Sequence, residues 1–192
     1  MNTLTQTHFL SKQKQARSSG FTLIELLVVI AIITILAGIL VPGVIVAMKQ
    51  AEKQKAKAMC ANIVTSIASF KSSLSVLPVG PSEQGGLDRK YDLTSGQDML
   101  LYLTGNTGSS PAINPQNRPF LDTGEGSASG TDLMDPWGTP YRVYLDNSFD
   151  GKVNVAESNG GKTYSTIAVV VSAGPDQDFG TFEDNVGSQN LK

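Results

Sequence analysis

A loop near the C-terminus concentrates carboxylates that could bind a hard cation. Its four acidic side chains fall within nine residues, and glycines in the same stretch let the backbone fold back: Asp176, Asp178, Glu183 and Asp184. Carboxylates at such close range repel one another unless a cation neutralises them. Calcium accepts about six to eight oxygen ligands from carboxylates and carbonyls in a flexible geometry. The loop therefore predicts a calcium site, with a solvated acidic turn as the alternative.

A second acidic stretch begins at Asp146 and ends at Glu157. Its acids at the first, fifth and twelfth positions, with Gly151 at the sixth, approach the spacing of an EF-hand loop. Ser148 replaces the usual acid or amide at the third position, and the flanking segments are predicted strands instead of helices. A hairpin turn at 149–151, joining strands that end at Leu145 and begin at Val153, is the simpler interpretation. Metal binding is the alternative.

Glu25 is the only ionisable side chain between Phe21 and Met48. This run is long enough to cross a bilayer as a helix, which takes about 20 apolar residues. A carboxylate near the start of such a span costs roughly 2.5–3.5 kcal/mol. We therefore expect Glu25 to have a function, with a cation from another chain as its partner.

The segment ahead of this run is basic and ends in small residues. It carries Lys12, Lys14 and Arg17, no acidic side chain, and Gly20 at its end. A secretory signal is cut after its apolar run. Here the small residue precedes the run, so that cleavage after Gly20 would leave the apolar helix on the mature protein.

Residues 20–25, with the sequence GFTLIE, resemble the processing site of type IV prepilins and type II secretion pseudopilins. The resemblance implies that a prepilin peptidase cuts between Gly20 and Phe21 and methylates the new Phe21 amine. Glu25 would then pair with the Phe21 amine of a neighbouring subunit in a filament. An uncleaved membrane anchor is the alternative.

The acidic loop resembles the calcium loop of the major pseudopilin. By that match Asp176 and Asp184 are the first side-chain ligands, Asp178 and Glu183 come second, and a carbonyl near Ser172 contributes. The resemblance thus implies calcium as a structural cofactor.

Composition argues against catalysis and nucleic-acid binding. The only histidine, His8, precedes the cleavage site, and Ser-His-Asp, Cys-His and His-ligated zinc chemistry all need histidine. Cys60 is the only cysteine, which excludes an intrachain disulfide; we interpret it as a small buried hydrophobic residue. Three of the fifteen basic residues lie in the leader, so 12 remain against 17 acidic ones, without the basic face of nucleic-acid binders. We predict a protein that is not an enzyme.

Four segments follow from these patterns: a leader (1–20), a transmembrane and assembly helix (21–48), an amphipathic spine (49–77) and a periplasmic globular region (78–192). Pro42 predicts a bend or loosening of the helix, and in the family a proline at the matching place marks a stretch that can unwind on assembly; a passive kink is the alternative. The spine carries apolar side chains at helical spacing, which end before Pro78: Met59, Ile63, Ile67, Phe70, Leu74 and Leu77.

The globular region begins with a predicted surface loop over 79–92. A short helix follows over 97–103, packed on the spine by Met99, Leu100 and Leu103, with Thr94 or Ser95 as its cap and Gly105 as its stop. An irregular connection covers 105–131. The phrase DPWG-x-PY, common in major pseudopilins, opens the sheet, and Trp137 is expected to anchor its turn in the core. The predicted strands are 141–145, 153–156 and 163–171.

The predicted fold is α+β and similar to type IV pilins: a long N-terminal helix, partly transmembrane, packed on a small antiparallel sheet with a short helix. The resemblance implies a pseudopilin of the inner membrane, single-pass, with a cytoplasmic N-terminus and a periplasmic head, that polymerises for type II protein secretion. Its implied partners are further copies of itself, other pseudopilins, prepilin peptidase and an inner-membrane assembly platform. The alternatives are a type IV pilin of an adhesion, motility or DNA-uptake filament, and a membrane-tethered enzyme or binding protein. The sequence leaves open whether this is the abundant subunit.

Overall fold

The computed structural model describes residues 20–106, 113–123, 132–155, 161–181 and 183–191. By its internal contacts the chain divides into two compact units, Met1–Ile45 and Val46–Lys192. The longest element is helix α1, Leu23–Leu74. It contains an 18-residue window with a mean hydropathy of 3.0, of which no residue is buried. The helix is continuous through Pro42, so the predicted loosening does not interrupt it.

The second unit is built on the C-terminal part of α1. The predicted stripe is confirmed by Ile63, Ile67 and Phe70, which are fully buried, whereas Met59 and Leu74 are partly buried. Helix α1 ends at Leu74, three residues before the predicted end. The reason is that Ser75 adopts a left-handed backbone (φ 60°) and donates its N–H to the Lys71 carbonyl, before the proline can act.

Helix α2, Asp98–Thr104, packs on this spine as predicted, and Met99, Leu100 and Leu103 are buried in the same core. The predicted caps are wrong: Gln97 precedes the helix and makes no side-chain cap. The N–H of Ser95 is bound by the Asp132 carboxylate instead (2.7 Å). Gly105 does end the helix, with φ 75° and its N–H donated to Leu101.

Strands β1–β6 form two antiparallel sheets. The larger sheet has the order β1-β2-β5-β6, and the smaller one pairs β3 with β4. One face of the larger sheet packs on α1 and α2 through Val143 and Val170; the other packs on β3 and Leu191 through Tyr144 and Val169. The strands are β1 Arg89–Asp92, β2 Arg142–Leu145, β3 Val153–Val155, β4 Lys162–Tyr164, β5 Ala168–Ser172 and β6 Val186–Gly187.

Two strand predictions are wrong. The segment 163–171 is not one strand, because a turn over 165–167 separates β4 from β5. The hairpin between Leu145 and Val153 does not form, since β2 pairs with β1 and β5. The Asp146 carboxylate accepts the N–H groups of Asp150 (3.1 Å) and Gly151 (2.9 Å), which folds this segment on itself.

Two placements within the second unit also differ from expectation. The predicted surface loop over 79–92 contains β1, which pairs with β2. Trp137 is only half-buried, and Tyr141, with 2% of its surface exposed, fills the core beside the turn. The backbone of Tyr141 is hydrogen-bonded to Leu133 and Leu93, and its side chain belongs to the same core as theirs.

Candidate assembly and cation sites

The Gly20–Phe21 bond lies ahead of the first turn of α1, and both residues are exposed. Thr22 and Glu25 form a reciprocal cap at this turn. Glu25 Oε2 accepts the Thr22 N–H (2.8 Å) and hydroxyl (2.7 Å), and the Glu25 N–H is donated to Thr22 Oγ1 (3.2 Å). This capping box satisfies two backbone donors that a helix start otherwise leaves unpaired. The sequence contains the signal for this cap, a threonine followed by a glutamate three residues later, but the cap was not predicted from it.

The cap changes how the Glu25 charge should be understood. One chain already supplies two hydrogen bonds to the carboxylate, both from Thr22 to Oε2, so the carboxylate is not a bare ion. Within the described residues its second oxygen, Oε1, has no partner and can accept a further donor. The nitrogen of Phe21 is a peptide amide in the uncut chain and would become an amine on cleavage after Gly20. The pairing of Glu25 with Phe21 of a neighbour remains a prediction.

Gly20 is not required by the fold of this chain. Its backbone is outside the left-handed region, and a Cβ added there would meet no atom within 4 Å. A need for glycine at this position would therefore come from a protein that binds the segment.

The base of the C-terminal acidic loop is closed by tight packing. Ser172, at the end of β5, is fully buried and donates its hydroxyl to Asp135 Oδ2 (2.6 Å). Gly174 has φ 82°, and a Cβ there would lie 2.6 Å from the Asp184 carbonyl oxygen. Only glycine fits, because the two ends of the loop meet at this point.

The four predicted carboxylates do not converge in this structure. Asp176 accepts the Thr181 hydroxyl and the Asp178 N–H, and these bonds, the hydroxyl first, lower its pKa. Asp178 accepts the N–H of Gly180 (2.8 Å). No three carboxylates of the loop lie within 4.8 Å of one another among the described residues. Calcium binding by Asp176, Asp178, Glu183 and Asp184 therefore stays a prediction.

Asn185, near the end of this loop, has a buried side-chain oxygen that no described group binds. Its side-chain amide donates to the Phe179 carbonyl (3.2 Å), but its buried Oδ1 has no hydrogen-bond partner among the described residues. A buried polar atom without a partner costs about 1–3 kcal/mol. A calcium ion would remove that cost, since its preferred ligands are oxygens. Sequence reasoning missed Asn185 because it considered only acidic side chains.

Asp135 connects this loop to the preceding turn, and it too was missed. It is 5% exposed, and its Oδ1 accepts the N–H groups of Trp137 (3.0 Å) and Thr139 (2.8 Å). Its Oδ2 holds the hydroxyl of Ser172. One buried carboxylate therefore fixes both the turn and the start of the loop. Its only sequence signal was its place in the DPWG turn.

Cys60 is buried as predicted. Its sulfur lies 3.6 Å from the Val186 carbonyl, and burial raises the pKa of the thiol to about 12. A thiol of such a high pKa carries almost no thiolate at neutral pH, which agrees with its interpretation as a small buried hydrophobic residue.

The second acidic stretch meets an acid from elsewhere in the chain. The carboxylates of Asp88, Asp146 and Asp150 lie within 4.8 Å of one another. Asp146 is nearly buried, and its oxygens accept donors from its own loop: the Ser148 hydroxyl and two N–H groups. Glu157 lies outside the described residues. These bonds explain the cluster without an ion, and metal binding over 146–157 is untested.

Comparison with known proteins identifies a motif at the N-terminus and relatives that are similar over most of the chain. Residues 15–41 match a family described as the prokaryotic N-terminal methylation motif. A type II secretion system core protein G from Aeromonas hydrophila is 29% identical, over 93% of this chain and 97% of its own length. The core protein G of Pectobacterium carotovorum subsp. carotovorum is also 29% identical, over 93% of this chain and 89% of its own.

A third relative extends the range of organisms. The type II secretion system core protein G of Vibrio cholerae is 29% identical over 74% of this chain and 81% of its own length. No solved structure gave a significant match. The methylation motif, the near full-length similarity and the α+β architecture agree with one another: this chain carries the N-terminal methylation motif and is similar to type II secretion core G proteins over nearly its whole length.

Proposed function

We propose that this chain is the major pseudopilin of a type II secretion system, cleaved by prepilin peptidase and assembled into a filament. The observation that carries the proposal is the exposed Gly20–Phe21 bond, directly ahead of a capped and wholly exposed apolar helix. A peptidase can reach this bond without unfolding any of the described structure. The type IV pilin alternative is less favoured, because the core protein G relatives cover almost the whole chain.

The chain is anchored in the inner membrane by residues 21–48. We propose a cytoplasmic N-terminus, because Lys12, Lys14 and Arg17 precede the apolar run and positive charge favours the cytoplasmic side. Lys49 and the lysines after it compete with this assignment, and the leader motif supports it. The second unit would then be periplasmic.

Assembly is the work of this protein, and no bond is made or broken by it. After cleavage, the Phe21 amine of one subunit would donate to Glu25 Oε1 of its neighbour while Thr22 keeps Oε2. Pro42, which deprives the helix interior of one backbone donor, is where we expect the helix to loosen in the filament. The partners are other copies, other pseudopilins and the assembly platform in the membrane.

The test is export of secreted proteins by cells that lack the chain. We expect exoproteins to accumulate in the periplasm and export to return with the wild-type chain. A Gly20→Leu variant should insert but stay uncut and fail to restore export. A Gly96→Leu variant is the control, since Gly96 is exposed outside the assembly helix and nothing lies within 4 Å of a Cβ at that position either. Undiminished export without the chain would contradict the proposal.

We also propose that the C-terminal loop binds calcium through Asp176, Asp184 and the buried oxygen of Asn185, with Asp178 and Glu183 as further acids. Bound calcium would add no reactive chemistry; it would neutralise the carboxylates and stabilise the loop. A cation at about 100 times its Kd stabilises by about 2.7 kcal/mol, a rise in Tm of roughly 5–10 °C for a chain of this size.

Thermal unfolding of the full chain in detergent, with calcium and with chelator, measures this shift. Asn185→Ala and Asp176→Asn should reduce it, and Asp150→Asn, in the other acidic cluster, should leave it intact. A wild-type Tm that ignores chelator would refute the calcium site. Loss of the shift in the Asp150→Asn control would move the site to that other cluster.

A further inference from the structure

The second unit has a cavity of about 570 Å3 that the assembly and calcium proposals do not use. We call it the Trp137 cavity. Its walls come from α1 and from two loops, one between α2 and β2 and one after β5: Val46, Lys49, Gln50, Glu52 and Lys53, with Trp137 and Pro175. All of these residues belong to the unit Val46–Lys192.

The walls combine cationic and apolar groups. Lys49 and Lys53 are four residues apart on α1 and so share one helix face. Neither ammonium is paired with a carboxylate within the described parts of the chain, and with Glu52 the walls carry a net charge of one positive unit. Val46, Trp137 and Pro175 supply apolar surface. Such a cavity suits a molecule with an anionic head and an apolar body.

Trp137 forms a wall of this cavity because it does not enter the core. Tyr141 occupies the core position beside the turn, and Trp137 remains half-buried. The turn that carries it is fixed, since Asp135 holds its N–H and Gln177 donates to its carbonyl (2.6 Å). The backbone of Trp137 is therefore held on both sides, and its side chain remains half-buried.

The cavity begins where the uncharged run of the helix ends. Val46 lies within that run, and Lys49 is the first charged residue after Glu25. If residues 21–48 span the membrane, the helical wall of the cavity starts at the boundary between lipid and water. Tryptophan and lysine are the residues that concentrate at this boundary.

We propose that the Trp137 cavity binds an anionic glycerophospholipid of the membrane in which the chain is anchored. Lys49 and Lys53 bind the lipid phosphate, and Val46 and Trp137 contact the first methylenes of an acyl chain. The bound lipid holds the globular unit at the membrane surface before assembly. This inference rests on the proposed membrane anchorage and goes beyond it.

Trp137 is the only tryptophan of the chain, so its fluorescence reports on the cavity. The mature protein, which begins at Phe21, is placed in phosphatidylcholine nanodiscs. One sample contains brominated phosphatidylglycerol as the quencher, and the other contains brominated phosphatidylcholine. We expect stronger quenching by phosphatidylglycerol. The preference should fall by about five-fold for each of Lys49→Gln and Lys53→Gln, because each lysine near an anionic surface contributes to binding by about that factor.

The matched control is the double variant Lys55→Gln and Lys57→Gln, which removes the same charge from the same helix outside the cavity. It should keep the preference. Equal quenching by the two lipids, or a loss in this control as large as in a double variant of Lys49→Gln and Lys53→Gln, would overturn the lipid site. Quenching that changes with the number of protein chains per nanodisc, and not with the lipid, would overturn the lipid site and assign the cavity to a second copy of the chain.

Alkaline extraction tests membrane anchorage separately. A chain that alkali extracts from the membrane contradicts the proposed function. A chain that stays anchored but shows no preference for phosphatidylglycerol contradicts only the lipid site.

Discussion

The two roles assigned to Glu25, helix cap and partner of a neighbour's amine, can be separated by substitution. Glu25→Gln keeps a side chain that can close the capping box but removes the charge. Glu25→Ala removes both. Thr22→Ala removes the capping hydroxyl, to which the Glu25 N–H is donated, and keeps the charge. The order of the three variants in filament formation therefore shows which role matters: Glu25→Gln fails if the charge is needed, and Thr22→Ala fails if the cap is needed.

The structure sets the expected magnitudes. Loss of a capping side chain costs about 1 kcal/mol, which a helix embedded in a membrane tolerates. Removing one partner of a buried charge pair costs about 3–5 kcal/mol, equivalent to about two to three and a half orders of magnitude in an association constant. We expect Glu25→Gln and Glu25→Ala to fail in filament formation almost equally, and Thr22→Ala to assemble.

The assay quantifies the chain in sheared filaments, relative to the chain retained in membranes. Alkaline extraction and the mature N-terminus verify that every variant is inserted and cleaved. Normal assembly by Glu25→Gln, together with failure of Thr22→Ala, would refute the pairing and leave the cap as the reason for Glu25.

Two further predictions concern the globular unit. Asp135→Ala should lower the free energy of unfolding by about 3–5 kcal/mol, measured in urea, because it leaves one buried and two part-buried donors without an acceptor; Asp135→Asn should cost less, since its amide keeps one acceptor oxygen, and equal losses would contradict this account. Cys60 should resist thiol reagents at pH 8 in the folded chain and react readily in urea, because its raised pKa leaves roughly a thousandth of the usual thiolate. Since the folded state favours the protonated thiol, its contribution to stability is complete below pH 9.0 and is lost as pH rises toward about 12; fast labelling of the folded chain would contradict the burial.

The features that sequence predicted well are local ones. The apolar run, the stripe through Ile63 and Phe70 and the stop at Gly105 follow from spacing and backbone preference within a few residues. None of these patterns needs knowledge of a distant partner. The predicted α+β architecture is confirmed as well, and its prediction drew on the resemblance to type IV pilins.

The features that sequence missed depend on contacts between distant segments. Strand β1 is polar, so its sequence predicted a surface loop; it forms a strand because it pairs with β2. The Asp135 carboxylate connects the turn to the C-terminal loop by accepting the hydroxyl of Ser172, which is 37 residues away in the sequence. Asp88 joins Asp146 and Asp150 only through the fold. The unpaired Oδ1 of Asn185 likewise depends on the fold, because the side-chain amide donates to the Phe179 carbonyl and leaves the oxygen buried without a partner among the described residues.

Mass spectrometry of the N-terminus of the mature chain, purified from membranes, tests the central claim most directly. The account predicts a chain that begins at Phe21 with a methylated amine. A chain that retains residues 1–20 would have no amine to offer Glu25 of a neighbour, and would contradict both the processing and the assembly proposed for this protein.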